Sequence, residues 1–170
     1  MRAKGSFKPA IWGAILIALA PGRASSEAAG RSDQEALQAR AGEFAAAWNK
    51  HDAAAMSLLW VEDGDFIDPF GRVATGRTEI KTLLTEEHAT FMKDTQYTVV
   101  VRWTRLVKPD VALITWDGTI AGIRASDGGI LPPLKHTVTA FVVKRDGKWW
   151  TMAARAAVAA SLTPATPPGK

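Results

Sequence analysis

Asp68 is flanked in the chain by two aromatic rings, in the run Phe66-Ile67-Asp68-Pro69-Phe70-Gly71. A carboxylate between apolar walls is partly desolvated, which raises its affinity for a proton. Such a group can take a proton from the carbon beside a carbonyl and return it elsewhere. The same residue types also suit a purely local role, with Asp68 closing an Asp-Pro turn through its own backbone. His88 is the second candidate. It lies four residues after Leu84 on the apolar side of a helical repeat, so it points inward. An imidazole there can hydrogen-bond Asp68, a ligand or water, or be satisfied by a backbone carbonyl as a core residue.

Other chemistries lack their residues. The chain has no cysteine, so it has no disulfide framework, thiolate nucleophile or Cys-based zinc site. His51, His88 and His136 stand on separate segments without a close ligand pair, so no metal is expected. Gly118, Gly122, Gly128 and Gly129 do not form the glycine pattern that cradles a dinucleotide phosphate. No cofactor is expected. Aromatic side chains are plentiful, and aromatic walls suit a small apolar ligand. Candidate wall residues are Phe44, Trp48, Trp60 and Phe66, followed by Phe70, Phe91, Trp103 and Trp116. Arg155 is an isolated charge near the end of an Ala-rich strand and is a candidate polar contact. His136 alternates with Val138 and Ala140, against Thr137, Thr139 and Phe141. If Thr139 faces a pocket, His136 does not.

The elements that must carry these residues follow from periodicity. Ser32 or Asp33 reads as an N-cap, and Leu37, Ala41, Phe44, Ala45 and Trp48 recur at helical spacing after it. A short helix is expected from Ala53 to Trp60, then a turn at 61–64 and a short strand at 65–68. A third helix is expected over 77–92, with Ile80, Leu83, Leu84, His88 and Phe91 inward. Period-two alternation then gives four strands, at 96–107, 111–122, 134–144 and 148–158. Asp146-Gly147 marks the last hairpin. Helices followed by antiparallel strands indicate an α+β domain.

The 170 residues suffice for one domain over 33–160. The net charge of +4 comes from Arg2, Lys4, Lys8 and Arg23, after which 17 basic and 17 acidic residues balance. A nucleic-acid-binding surface has no charge surplus to draw on. The basic start, the apolar run from Ala10 to Ala20 and the small residues after it have the layout of a secretory signal peptide. Cleavage is expected near Ala24 or Ala28, giving an exported, periplasmic protein with no membrane attachment after cleavage. Residues 25–32 read as a flexible lead-in and 161–170 as a disordered, Pro-rich tail.

Several blocks together resemble the nuclear transport factor 2-like fold, closest to its SnoaL-like, SgcJ/EcaC-type and ketosteroid isomerase members. They are Phe44-Ala-Ala-Ala-Trp48-Asn49-Lys-His-Asp52, Leu59-Trp60-x-Glu62-Asp63-Gly64-Asp65-Phe66, Asp68-Pro69-Phe70-Gly71, Gly76-Arg77-x-Glu79-Ile80 and Val143-Lys-Arg-Asp146-Gly147-Lys-Trp149-Trp150. The resemblance implies a cone: a curved antiparallel sheet wrapped around three N-terminal helices. It implies that Asp68 occupies the position of the isomerase general base. It also implies that the usual oxyanion donors are missing, because their positions hold Phe44 and about Thr139. Dimers are common in the fold, so a homodimer is expected. The resulting expectation is a small-molecule-binding domain with an apolar pocket, in which Asp68 is the base and His88 a helper for isomerase-, cyclase- or dehydratase-like proton transfer. The alternative is a non-catalytic binding or dimeric assembly module.

Overall fold

A computed structural model describes residues 22–159. Residues 1–21, where a signal peptide is expected, and residues 160–170, which hold the expected Pro-rich tail, lie outside the described residues. The elements run α1 (Gly22–Trp48), α2 (Ala53–Ser57), β1 (Trp60–Ile67), β2 (Val73–Thr75), α3 (Gly76–Ala89), β3 (Gln96–Lys108), β4 (Val111–Ala121), β5 (Leu134–Arg145) and β6 (Lys148–Ala157). One six-stranded sheet forms in the order β2-β1-β6-β5-β4-β3. All neighbours are antiparallel except β1 and β6. The α+β architecture read from the sequence is the observed one.

Boundaries differ where a side chain has a better partner than the one local spacing suggests. Helix α1 begins at Gly22, ahead of the cap expected at Ser32 or Asp33, so the segment read as a lead-in is helical. Asp33 does not cap. Its carboxylate accepts from Lys144 Nζ at 2.6 Å and Trp149 Nε1 at 3.2 Å, tying the helix to the β5–β6 hairpin. Asp52 caps α2 by accepting from Ala55 N–H at 2.8 Å, and α2 stops at Ser57. The expected turn at 61–64 is strand β1, because Trp60 and Asp65 both pair with β6 across an irregular stretch. Gly64 is needed there. A Cβ on it would lie 2.9 Å from the Trp60 ring and 3.0 Å from the Met152 carbonyl oxygen.

The core lies between the helices and the concave sheet face. Leu37, Ala41, Phe44 and Trp48 of α1, with Ile80 and Leu84 of α3, meet Ile114, Trp116, Ile120, Val138, Ala140 and Val142. Asn49 fixes α1 to the start of β3. It donates to the Tyr97 carbonyl at 3.0 Å and accepts from the Tyr97 N–H at 2.7 Å, completing the backbone pairing of a strand end. Trp48 Nε1 donates to Thr95 Oγ1 at 2.9 Å in the same region. The β5–β6 hairpin turns through Asp146 (φ 52°) and Gly147 (φ 75°), the left-handed pair that a two-residue hairpin requires.

Candidate functional site

The cone encloses a cavity of about 30 Å3. At roughly 10–15 Å3 per water, that is room for two or three water molecules. Phe44, Trp48, Trp60, Phe66, Phe70 and Trp116 all line it, so six of the eight aromatic residues named from the sequence come together. Phe70 is 48% exposed and lies where the cavity meets solvent. The other two do not contribute. Phe91 packs edge-on against Phe70 at 5.5 Å, outside the lining. Trp103 sits on the convex face, 45% exposed. A bulge between Val101 and Trp103 inverts the strand's alternation, so a residue read as inward turns outward.

Thr139 and Arg155 are also outside the cavity. They are paired in register, and both are exposed on the convex face. Thr139 shares a hydroxyl contact with Thr115 at 3.2 Å. Arg155 pairs with Asp65 of β1. The inward residues of β5 are His136, Val138, Ala140 and Val142. Thus His136, and not Thr139, faces the cone.

Asp68 is 1% exposed and does not line the cavity. Its Oδ1 accepts from the N–H groups of Phe70 and Arg72, both at 2.8 Å. Its Oδ2 accepts from Arg72 Nε at 2.7 Å. Those contacts close the turn, with Gly71 at φ 82° supplying the left-handed step. The geometry is that of the local turn role, with both oxygens engaged.

The carboxylate that does line the cavity is Glu87, 2% exposed, from the last turn of α3. Arg72 spans the two acids, binding Asp68 through Nε and Glu87 Oε1 through a terminal nitrogen. The Phe70 and Phe91 rings flank its guanidinium at 6.0 Å and 5.9 Å. Among the described residues, Glu87 Oε2 accepts no hydrogen bond. The signal for Glu87 was in the sequence: Ile80, Leu83, Leu84, Glu87 and His88 occupy i, i+3, i+4, i+7 and i+8, so a charge stands on the buried stripe.

A second polar group crosses the sheet. Trp116 Nε1 donates to Tyr97 Oη at 3.0 Å, and Tyr97 Oη lies 3.0 Å from His136 Nε2. Indole only donates, so the phenol accepts from it and gives its own hydrogen to His136. His136 Nδ1 is buried and has no hydrogen-bond partner among the described residues. Burial pushes the Tyr97 pKa up, against the pull of the Trp116 hydrogen bond. Burial pushes His136 down, against the Leu134 carbonyl and Asp117. Both groups are neutral near pH 7. Gly118 is the floor beneath them. A Cβ there would stand 2.4 Å from Tyr97 Oη and 2.6 Å from His136 Nε2.

His88 is buried but turned away from Asp68 and from the cavity lining. Its ring packs on Trp48 at 4.5 Å, and its Nδ1 meets His51 Nδ1 at 2.8 Å. Burial, together with the His51 charge, pushes the His88 pKa down to about 4. His51, half-buried just after α1, meets His88 from a left-handed backbone (φ 53°). Among the described residues no group of three or more metal-ligand side chains occurs, and no helix is long and apolar enough to cross a membrane.

Structural relatives share this architecture at low identity. An uncharacterised protein with a cystatin-like fold from Caulobacter vibrioides matches at TM-score 0.67 and 23% identity, over 74% of this chain and 89% of its own. A ketosteroid isomerase-like protein from Erwinia carotovora atroseptica matches at TM-score 0.63 and 16% identity, over 76% and 98%. A hexachlorocyclohexane dehydrochlorinase matches at TM-score 0.68 and 14% identity, over 85% and 99%. No functionally curated protein matches the sequence. Residues 41–152 match the family model of the SnoaL-like domain, and the chain belongs to that family.

Proposed function

We propose that the chain binds a compact, largely apolar small molecule in the cone and moves a proton on it, with Glu87 as the base. The observation that carries this reading is a buried carboxylate with one unengaged oxygen lining the same cavity as a polarised phenol. Arg72 holds Glu87 in place from outside. Tyr97 already accepts a hydrogen from Trp116, which makes its own O–H a better donor. A ligand carbonyl that takes this O–H in place of His136 is polarised. Glu87 then removes the neighbouring C–H proton, and the bond's electron pair moves to the carbonyl oxygen as an enolate. Returning the proton to the same or another carbon completes exchange or isomerisation. Fold neighbours named for isomerase likeness and dehydrochlorination fit that reaction class. Phe70 must swing aside to admit a molecule larger than the closed cavity. Export by the N-terminal leader is part of the same reading.

The test uses cyclohexanone in D2O, with deuterium uptake at its α-carbons followed by proton NMR. The wild-type protein should accelerate uptake over buffer, and Glu87→Gln should remove the acceleration. Asp68→Asn separates the two carboxylates. If Asp68→Asn abolishes exchange in a folded protein and Glu87→Gln does not, Asp68 is the base. If neither variant differs from a wild type that does not exceed buffer, the proton-transfer reading is overturned.

One observation favours a second reading, a dimeric assembly module. The convex sheet face leaves Val100 69% and Trp103 45% exposed. Sedimentation of the wild type and Trp103→Glu tests it: a dimer that the substitution converts to monomer supports this face as the contact.

A further inference from the structure

We infer that Arg40 is an anchor for the carboxylate of the cone's ligand, so that the ligand class is a small, mostly apolar carboxylic acid. The inference rests on the reading of the cone as a ligand site. Arg40 stands three residues after Leu37 and four before Phe44, on the buried face of α1, and lines the cavity with only 7% exposure. Its terminal nitrogens are engaged, one with Glu43 Oε2 at 2.6 Å and one with the Leu59 carbonyl at 2.7 Å. Its Nε–H is buried and has no acceptor among the described residues. Glu43, the ion-pair partner of Arg40 among the described residues, is half exposed, so water screens that counter-charge. A guanidinium remains charged in this setting and strongly prefers a charged acceptor over a neutral one. Trp48 lies eight residues further along α1, about 12 Å by helical rise. It packs on His88, the neighbour of Glu87. Arg40 and the proposed base Glu87 line the same cavity, among apolar side chains.

The test compares cyclohexanecarboxylate with its uncharged amide at pH 7, read from the Trp116 indole and Arg40 Nε–H resonances. The acid should bind at least tenfold tighter and shift the Arg40 Nε–H, while the amide leaves it in place. Arg40→Gln should bring the acid down to the amide's affinity. Because that substitution also removes structural hydrogen bonds, the wild-type ratio and the Nε–H shift stand as independent readouts. Equal binding of acid and amide, or an acid preference surviving in folded Arg40→Gln, overturns the assignment. Absence of any acid binding overturns it as well. Cyclohexanone exchange requires no carboxylate. Exchange that depends on Glu87, with acid and amide bound alike, sinks the Arg40 assignment alone. An Arg40-dependent acid preference without exchange supports it and sinks only the proton-transfer step.

Discussion

Gly118→Ala is the most economical perturbation of the polar pair inside the cone. The backbone at this strand position permits any residue, so the effect comes from the added methyl group alone. That methyl would meet Tyr97 Oη at 2.4 Å and His136 Nε2 at 2.6 Å, against 3.4–4 Å for ordinary contact. Both partners of one hydrogen bond must therefore retreat by about 1 Å from the same point. Each is buried, so neither finds water as a replacement. Leaving buried polar partners unmade costs about 1–3 kcal/mol. Overpacking adds about 1–3 kcal/mol. The stiffer unfolded chain returns about 0.4–1 kcal/mol. A net loss of about 1–5 kcal/mol follows, centred near 3, read as a lower urea midpoint with an unchanged slope. Tyr97→Phe removes the atom that the methyl strikes first. The Gly118→Ala penalty should therefore shrink by about 1–2 kcal/mol in that background. A loss under about 0.5 kcal/mol, or equal losses in both backgrounds, would refute the reasoning that glycine is kept for this hydrogen bond.

Further outcomes follow from the other polar contacts. Asp68→Asn should destabilise the fold by about 3 kcal/mol, because a buried ion pair is broken while the turn survives in part; urea melts measure it. The His88 pKa falls from 6.5 to about 4 in the folded chain, so the unfolded chain binds the extra proton between those values. Stability is therefore full above pH 6.5 and declines as pH falls toward 4, by at most about 3 kcal/mol. His88→Phe should flatten that dependence in melts between pH 4.5 and 7, and an unchanged slope would show that His88 does not titrate this way. Tyr97→Phe alone should cost about 2 kcal/mol, since it leaves the Trp116 N–H and the His136 Nε2 without partners.

Legibility in the sequence followed the physics of each element. Period-two runs and the Asp-Gly turn located the four long strands because backbone pairing and alternation are local properties. Helix α3 was legible for the same reason. Facing was not. The bulge that turns Trp103 outward depends on β4, and nothing in the local alternation of β3 announces it. Alternation alone does not choose between His136 and Thr139, because strand register is set by neighbouring strands. Two local signals in the sequence bear on the cavity. Gly118 interrupts a strand of large residues, which marks a close approach. Arg40 and Glu87 each break an otherwise apolar helical stripe. The irregular pairing of β1 with distant β6, by contrast, has no local signature.

The two carboxylates near the cavity differ in how fully their own surroundings engage them. Asp68 has aromatic neighbours in the chain, yet its own turn presents two N–H groups and Arg72 to it before any ligand can. Both of its oxygens are engaged within the turn, and it does not line the cavity. Glu87 has unremarkable neighbours in the chain but stands on the last buried turn of α3, where adjacent residues point about 100° apart. That rotation sends His88 toward Trp48 and His51, and Glu87 toward the cone. Arg72 then links the acids so that one closes the turn while the other keeps an oxygen unengaged. Arg72→Met separates these roles. It should weaken the turn and let Glu87 relax, lowering the exchange rate of cyclohexanone while leaving some activity in a folded protein. Exchange equal to wild type would mean that Arg72 does not position Glu87.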